Sequence, residues 1–244
     1  MSSVSVDAGR AAKKVKTLFG WLLYRRISLP LSVRIAGTRV RPSHLTALGL
    51  GAGLVGAGLI ATGSRAWVIA GAVLVNAAKI LDAMDGEVAR AKAMDTPTGY
   101  VLDGLADRLR DTAVIVGCGV GALQAEPTAL AWTIAAVVGY LGFFYVSAAA
   151  PSHWREVRSE ADLDEKHMFR VRGNLRLGAG DTLALFVLVA AVVGHTLWVD
   201  VAVAIVSPIA IALKLRRLLT QRPWEEQAGA ELTELTTPAS STPR

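Results

Sequence analysis

Six runs of predominantly apolar residues follow one another along this chain, each about twenty residues long. That length lets an α-helix cross a bilayer, where the backbone polar groups must be satisfied within the helix itself. The runs cover residues 44–62, 66–91, 99–123, 129–150, 177–195 and 197–219, and Gly63, Pro127 and Gly194 mark three of the boundaries. The pattern predicts an all-α, polytopic membrane protein with six transmembrane helices.

The composition excludes an ordinary soluble domain. Of the 244 residues, 52% are hydrophobic and only 19% are charged. The net charge of +6 does not indicate nucleic-acid binding, because the basic residues cluster beside the apolar runs, where anionic lipid headgroups are the nearer partner. The single cysteine, Cys118, lies within an apolar run and is interpreted as a packing residue.

Lysine and arginine residues are distributed unevenly between the two ends of the predicted bundle. The segment before the first run and the loop between the fourth and fifth runs are rich in them, whereas the turns after the third and fifth runs have none. By the positive-inside rule, both termini are cytoplasmic. We therefore expect a multi-pass protein of the cell (inner, cytoplasmic) membrane.

The segments on either side of the bundle differ in character. Residues 1–43 form a cytoplasmic segment in which 11–27 has apolar residues at helical spacing beside basic ones, a pattern typical of an amphipathic helix lying on a membrane. Residues 44–220 make up the six-helix domain. Residues 221–244 are rich in Glu, Thr, Ser and Pro and are predicted to be a disordered cytoplasmic tail.

Four aspartates interrupt the second and third apolar runs at a defined spacing. The order is Asp82-x-x-Asp85-Gly86-x-x-Ala89-Arg90, then eight residues, then Gly99-x-x-x-Asp103-x-x-x-Asp107. At about 100° per residue, the first two acids share a face of one helix, and the last two lie one turn apart on the next. Carboxylates in a low-dielectric region need cations, and oxygen-only clusters suit hard divalent ions. A metal site on the cytoplasmic side is predicted.

The small residues of this motif are as informative as the acids. Gly86, Ala89 and Gly99 end at a hydrogen or a methyl group, so they leave a slot beside the acids for a flat group such as a nucleotide base. The competing account is that small residues permit close packing of membrane helices.

These residues resemble the signature of the CDP-alcohol phosphotransferases, the integral membrane enzymes that make phosphatidylinositol phosphate and related lipids. The family pattern D-x2-D-G-x2-A-R-x8-G-x3-D-x3-D is matched at every specified position. The resemblance implies a homodimeric, six-helix enzyme. It implies transfer of a substituted phosphoryl group from a CDP-alcohol to an acceptor hydroxyl, with release of CMP, in phospholipid biosynthesis.

The resemblance also implies a role for each motif residue. Two divalent ions, Mg²⁺ or Mn²⁺, would be bound by Asp82, Asp85, Asp103 and Asp107. Asp107 would also be the catalytic general base for the attacking hydroxyl. The CDP-binding residues would be Asp82, Gly86, Ala89, Arg90, Gly99 and Thr46.

The first apolar run departs from the family pattern at its start. The chain reads Pro42-Ser43-His44-Leu45-Thr46 where the family has Pro-Asn-x-x-Thr. By the resemblance, Thr46 would still face the nucleotide, whereas Ser43 is equally well explained as a helix cap.

Three arginines before the fifth run, Arg170, Arg172 and Arg176, form the candidate acceptor site, since guanidinium groups bind phosphate through charge-assisted hydrogen bonds. The alternative is a topology signal that contacts anionic lipid. Residues 145–150 differ from the acceptor-side pattern of typical phosphatidylinositol phosphate and phosphatidylglycerol phosphate synthases, so the identities of donor and acceptor stay open.

Other charged residues lie within the apolar runs. Lys79, one turn before Asp82, is placed to neutralise surplus carboxylate charge. Asp111, next to Arg110, is either a further contact of the site or part of a structural ion pair. Asp181 and Asp200 are interpreted as cap or interface residues.

Three other functions fit part of the pattern. The same chemistry could use a small soluble CDP-linked alcohol as donor. Four intramembrane acids also suit the cation path of a transporter, although Gly86, Ala89, Arg90 and Gly99 then have no role. The third is an inactive scaffold that keeps the fold, against which the intact acids argue.

Overall fold

A computed structural model describes residues 16–17, 19, 23–153, 168–172 and 175–221, with side chains for 19, 23–148 and 178–216. Seven α-helices lie within these ranges. They are α1 (Arg25–Ala36), α2 (Pro42–Ala61), α3 (Arg65–Ala91), α4 (Pro97–Ala122), α5 (Ala129–His153), α6 (Ala179–Val193) and α7 (Leu197–Gln221). The molecule is therefore a helical bundle, as its apolar periodicity predicts.

Each of the six predicted apolar runs coincides with one helix, α2 to α7, within a few residues at either end. Four helices in the described part of the chain are long and apolar enough to cross a membrane: Pro42–Ala61, Arg65–Ala91, Ala129–Ala148 and Leu197–Arg216. α6 has only 15 residues, and α4 carries the second half of the acidic motif together with arginines. The protein is a multi-pass membrane protein, and six spans remain a prediction.

Three short strands modify the all-α prediction. β1 (Lys16–Thr17) pairs in parallel with β3 (Leu175–Gly178), and β3 pairs in antiparallel fashion with β2 (Met168–Arg172). The register places Arg170 opposite Arg176, with an irregularity between Arg170 and Arg172. The all-α prediction is confirmed for the bundle, and the three strands are a local addition before α6 that it did not include. The prediction rested on apolar runs, and most of the sheet lies outside them.

The N-terminal region also differs from expectation. Most of the predicted amphipathic helix, 11–27, lies outside the described residues, and at Lys16–Thr17 the chain is a strand instead. The predicted tail also lies outside them, apart from Gln221 at the end of α7.

α1 packs along α3 through a buried polar stripe, because Ser28 Oγ and Ser32 Oγ donate to the two carboxylate oxygens of Glu87 at 3.0 and 2.8 Å.

The same stripe continues to Tyr24, which precedes α1. Its hydroxyl donates to Asn76 Oδ1 at 2.7 Å, and burial raises the pKa of Tyr24 to about 12. At the other end, Lys92 Nζ donates to the backbone oxygens of Thr38 and Val40 at 2.8 and 2.6 Å. Since all these contacts follow the order of the chain, α1 and α3 run in parallel.

Glycines let α2, α3 and α4 approach closely. A Cβ added to Gly71 would lie 2.5 Å from the backbone oxygen of Gly56, and one added to Gly117 would lie 2.5 Å from that of Ala57. No real Cβ tolerates such distances, so these positions require the smallest residue. α2 is thereby held against both helices that carry the acidic motif.

Two helix ends have the residues that such ends favour, and a third differs from the prediction. Thr96 caps α4 by accepting the backbone N–H of Gly99 at 3.0 Å, and Pro97 follows as the first helical residue. Gly194 ends α6 with φ of 92°, a left-handed conformation that favours glycine. The prediction of Ser43 as a cap is wrong, because α2 begins at Pro42 with Arg41 as N-cap.

The apolar core lies between α5, α6, α7, the first half of α3 and the second halves of α2 and α4. Ile60, Ile115, Val187 and Val199 are fully buried there. Cys118 is a buried free cysteine in the same core, which confirms its packing role. The core anchors the bundle and leaves the acidic motif at the opposite ends of α3 and α4.

Candidate active site

Lys79 and Arg110 join two of the four motif aspartates across two helices. Lys79 Nζ, on α3, lies 3.5 Å from Asp82 Oδ2 and 3.1 Å from Asp107 Oδ1. Arg110, on α4, donates from Nη1 to Asp82 Oδ1 at 3.3 Å and from Nη2 to Asp107 Oδ1. The side chains of both cations are almost fully buried, at 4% and 2% exposure. The prediction that Lys79 neutralises carboxylate charge agrees with this geometry.

The other two motif aspartates have a different environment. Asp85 is buried, and its Oδ2 accepts the hydroxyl of Thr46 at 2.6 Å. Thr46 Oγ1 also lies 3.2 Å from the backbone oxygen of Pro42, one turn earlier on α2. Asp103 Oδ1 is buried, with no hydrogen-bond partner among the described residues. Within the described side chains, neither acid forms an ion pair.

The chemistry of these donors fits a hard divalent cation, since four carboxylates offer only oxygen ligands and Asp103 Oδ1 is unsatisfied. The geometry is not a complete cage. In the part of the chain that the structure covers, no three His, Cys, Asp or Glu side chains converge to hold an ion. Because Mg²⁺ is usually bound by one or two carboxylates plus substrate phosphates, the missing ligands would come from a substrate.

The motif glycines do not serve helix packing within the described residues. The nearest atoms to a Cβ on Gly86 would be those of the Arg90 guanidinium, with Nη1 at 3.2 Å. A Cβ on Gly99 would meet only the capping hydroxyl of Thr96, at 3.1 Å. Gly86 and Gly99 thus differ from Gly71, and the space beside them favours the slot interpretation. Arg90 reaches back one turn over Gly86, beside that slot.

Asp111 belongs to an ion pair and not to the slot. Its Oδ1 lies 3.3 Å from Arg110 Nε, and its Oδ2 accepts the hydroxyl of Tyr140 at 2.6 Å. Arg108 lies 3.8 Å from Asp107 Oδ2 and stacks on the ring of Phe144, 3.5 Å from its centroid. Of the two readings of Asp111, the structural ion pair agrees with these contacts.

Sequence reasoning missed three contacts that position the site. Glu87 accepts hydrogen bonds from serines of α1, and Tyr140 donates one to Asp111. Arg110 donates to both Asp82 and Asp107. One of these had a signal in the sequence: Arg110 follows Asp107 by three residues, a helical neighbour spacing. The partners of Glu87 and Tyr140 lie on other helices, so no spacing reveals them.

The candidate acceptor arginines lie on the small sheet. Arg170 and Arg172 belong to β2, and Arg176 belongs to β3, which leads directly into α6. Their side chains are outside the described set, and the acceptor prediction therefore stays untested. The backbone pairing of Arg170 with Arg176 places the two residues side by side. α6 begins beside the acids, because a Cβ on Gly180 would lie 2.9 Å from Lys79 Nζ.

The fold and the acidic motif define a class of membrane protein, and comparison with known families identifies it. Residues 39–215 match the CDP-alcohol phosphatidyltransferase family, which is most of the chain. This chain belongs to that family. The match includes all of α2 to α6, the four motif acids and the three loop arginines.

Two curated relatives are similar to parts of the chain. The archaetidylinositol phosphate synthase of Methanothermobacter thermautotrophicus is 33% identical over 128 residues, which cover 52% of this chain and 60% of that protein. The phosphatidylinositol phosphate synthase of Mycolicibacterium smegmatis is 35% identical over 95 residues, covering 38% of this chain and 41% of that protein. The chain thus spans less than two thirds of the length of either relative.

A solved structure shares the fold. The crystal structure of Mycobacterium tuberculosis phosphatidylinositol phosphate synthase with CDP-DAG bound aligns with a TM-score of 0.61 at 24% identity. The alignment covers 80% of this chain and 94% of that one. The likeness therefore extends over nearly the whole bundle.

Proposed function

We propose that this protein transfers a substituted phosphoryl group from a CDP-alcohol to the hydroxyl of an acceptor alcohol, releasing CMP, in phospholipid biosynthesis. The observation that carries the proposal is the complete acid and glycine motif, with acids of two helices drawn together and glycines that contact no neighbouring helix in the described residues. A cation transporter or an inactive scaffold gives these glycines no role. Family membership supports the same conclusion.

The reaction is a displacement at phosphorus. The acceptor oxygen attacks the phosphorus that bears the donor alcohol, and the bond from that phosphorus to the oxygen of the cytidine-bearing phosphate breaks. CMP leaves with the electron pair of the broken bond, and the proton of the acceptor hydroxyl passes to the Asp107 carboxylate. A bound divalent cation supplies positive charge to the leaving phosphate.

The chain's own residues divide the remaining tasks. Asp85 and Asp103 offer carboxylate oxygens that form no ion pair among the described side chains, and Thr46 orients Asp85 through its 2.6 Å hydrogen bond. Arg90, positioned over Gly86, binds phosphate oxygens of the nucleotide.

The cytidine lies along a slot of small residues. Gly86, Ala89 and Gly99 line it, because longer side chains at these positions would fill it. Asp82 forms the inner end of the slot. The slot opens toward the cytoplasm, as the distribution of lysine and arginine predicts, and the chain acts as a homodimer, as the family resemblance implies.

The favoured product is a lipid-linked inositol phosphate. Both curated relatives are named for such products, and the aligned crystal structure is described with CDP-DAG bound. The acceptor then carries a phosphate, which suits the arginines of β2 and β3, Arg170, Arg172 and Arg176. A small soluble CDP-linked alcohol remains the second donor class.

A product assay on the purified protein tests the proposal. The protein is incubated with Mg²⁺, one of several CDP-alcohols, and either inositol phosphate or glycerol phosphate, and both phases are read by mass spectrometry. We expect CMP in the aqueous phase, a lipid-linked inositol phosphate in the organic phase, and loss of both when EDTA removes the metal. Absence of CMP release with every donor and acceptor pair, together with cation flux in proteoliposomes, would support the transporter instead.

A further inference from the structure

The part of α3 that lines the proposed nucleotide slot needs support from its other faces. Gly86 and Ala89 have no side chain long enough to hold the helix on the slot side. The acids on that side, Asp82 and Asp85, are the groups that a metal ion would engage. Glu87 points elsewhere: at 100° per residue it lies about 100° around the helix from Gly86 and about 160° from Ala89. Its contacts can therefore persist while a substrate enters and leaves.

The helix α1 binds both carboxylate oxygens of Glu87. The Glu87 side chain is only 1% exposed, and its Oε1 and Oε2 accept the hydroxyls of Ser28 and Ser32 at 3.0 and 2.8 Å. The two serines lie one turn apart on α1, so the carboxylate spans that turn. Arg25 Nε, 3.8 Å from Oε1, compensates the negative charge. Shifting α1 by one turn along α3 would move one serine out of reach and leave a buried oxygen without it.

A second polar contact with α1 lies on the same face of α3. Asn76 precedes Glu87 by about three helical turns, and its Oδ1 accepts the hydroxyl of Tyr24 at 2.7 Å. Asn76 Nδ2 also donates to the backbone oxygen of Ala184 on α6, at 3.0 Å. Hydrogen bonds depend on direction as well as distance. Two of them on one face, several turns apart, therefore fix how far α3 is rotated about its axis.

The contacts of α3 with α2 are of a different kind. Met84 and Val88 are buried against Leu45 of α2. These contacts are apolar, and the hydrophobic effect has no preferred direction. They hold α3 close to α2, and several rotations of α3 would bury a similar apolar area. The polar contacts with α1 select one of these rotations.

A buried carboxylate is a poor choice if its only task is to dock one helix on another. Replacing a buried ionic contact by apolar side chains of similar size is often neutral or stabilising, because no charge is then removed from water. A buried polar group can instead specify one register, since other registers leave it unsatisfied. Glu87 stands between Gly86 and Ala89 in the chain, so the orientation that it specifies is that of the slot.

We infer that Glu87 is a positioning residue, which fixes the rotation of α3 by binding Ser28 and Ser32 and thereby directs the slot residues toward the nucleotide. The inference rests on the proposed function and adds α1, which carries no motif residue, to the parts of the chain that shape the nucleotide site. Loss of the Glu87 contacts should weaken binding of CDP and leave the chemical step almost unchanged, because the proposed base, Asp107, lies on α4.

CDP binding tests the inference without any measurement of turnover. Isothermal titration calorimetry with CDP and Mg²⁺ gives the dissociation constant for the full-length protein in detergent. Glu87→Leu removes both hydrogen bonds and should raise that constant about tenfold. Glu87→Gln keeps an oxygen that accepts one serine hydroxyl and gains an amide that donates to the other, so its constant should stay within about twofold of the original. Unchanged affinity in Glu87→Leu would overturn the inference, and so would equal weakening in Glu87→Gln.

Thr133→Val is the matched control for a general loss of stability. It also removes one buried hydrogen bond between helices, the contact of Thr133 with Asp200 that joins α5 to α7. The dissociation constant for CDP should not change in this variant, and weakening equal to that in Glu87→Leu would overturn the positioning role. In the CMP release assay, Glu87→Leu should raise KM for the CDP-alcohol about tenfold and change kcat less than about twofold.

The outcomes separate this inference from the proposed function. CMP release together with unchanged CDP affinity in Glu87→Leu would overturn the inference and leave the transferase intact. CDP binding that weakens in Glu87→Leu, without CMP release by the unmodified protein from any donor, would contradict the transferase and leave the inference standing. An unmodified protein that binds no CDP would overturn both.

A milder variant decides the question if Glu87→Leu does not fold. Ser32→Ala removes only the shorter of the two hydrogen bonds and keeps the carboxylate with its other partners. It should weaken CDP binding about threefold, since one of two contacts that fix the rotation remains. Unchanged CDP affinity in Ser32→Ala would then overturn the inference.

Discussion

Two places with buried acidic side chains in the described part of the bundle differ in how the negative charge is compensated. At the motif, Asp82 and Asp107 face Lys79 and Arg110. On α7, Asp200 is 0% exposed, and its only hydrogen bond among the described residues comes from the Thr133 hydroxyl, at 2.7 Å to Oδ2. Its Oδ1 has no partner there.

The difference shows what makes a buried acid useful for chemistry. Carboxylates surrounded by cations, with a slot beside them, can exchange those contacts for a metal ion or a substrate. A carboxylate that contacts one hydroxyl and is enclosed by packed helices has no access to either. Asp200 is therefore neither the cap nor the interface residue that its sequence position suggests, but a contact between α7 and α5.

Asp107→Asn should have the largest effect of the four variants, and it tests whether a motif acid takes part in the reaction. We expect CMP release to fall about 1,000-fold, because the amide cannot accept the acceptor's proton. The fold should persist, since asparagine keeps the shape and Asp82 still accepts from both cations. Size-exclusion chromatography and circular dichroism verify folding, and full activity would remove Asp107 from the base role.

Gly119→Ala tests whether Asp200 is enclosed by packed helices. Its Cβ would lie 1.7 Å from Thr133 Oγ1 and 2.6 Å from Asp200 Oδ2, so the buried hydrogen bond must break. We expect a loss of roughly 3 kcal/mol in the free energy of unfolding, measured with denaturant in detergent. Gly104→Ala on the same helix, where a Cβ meets no atom within 4 Å, is the control. Equal stability of the two variants would show that Asp200 is not enclosed.

Gly86→Val tests the nucleotide slot beside the motif acids that pair with Lys79 and Arg110. The added side chain would meet the Arg90 guanidinium 3.2 Å from its Cβ and fill the space left for the nucleotide. We expect KM for the CDP-alcohol to rise about tenfold, which corresponds to about 1.4 kcal/mol of lost binding. Gly58→Val, at an exposed position with no neighbour within 4 Å, should leave KM unchanged. An unchanged KM in both variants would contradict the slot.

Asp200→Asn should have the smallest effect and is the counterpart of Asp107→Asn. Asparagine keeps an oxygen that accepts the Thr133 hydroxyl, so the free energy of unfolding should change by less than about 1 kcal/mol. CMP release should equal that of the unmodified protein. A large loss of activity would assign Asp200 a role in the reaction and abolish the distinction between the two buried acids.

Much of the bundle was predictable because its signals are local. Long apolar runs indicate helices, so α2 to α7 follow from such runs, and the ends at Thr96 and Gly194 follow from backbone preferences of single residues. The strands β1 to β3 were not predictable, because β1 pairs with a segment about 160 residues away and strands of two to five residues are too short for a distinctive pattern.

By itself, the sequence determined which acids and small residues share a face of each of two successive helices, because side-chain direction in a helix follows from spacing alone. Only the tertiary structure decided which acids the protein neutralises itself. Lys79 and Arg110 gain that role because α3 and α4 both pack closely against α2, through glycines at the contacts. Contacts between helices depend on how their backbones pack, and residue spacing carries no record of that distance.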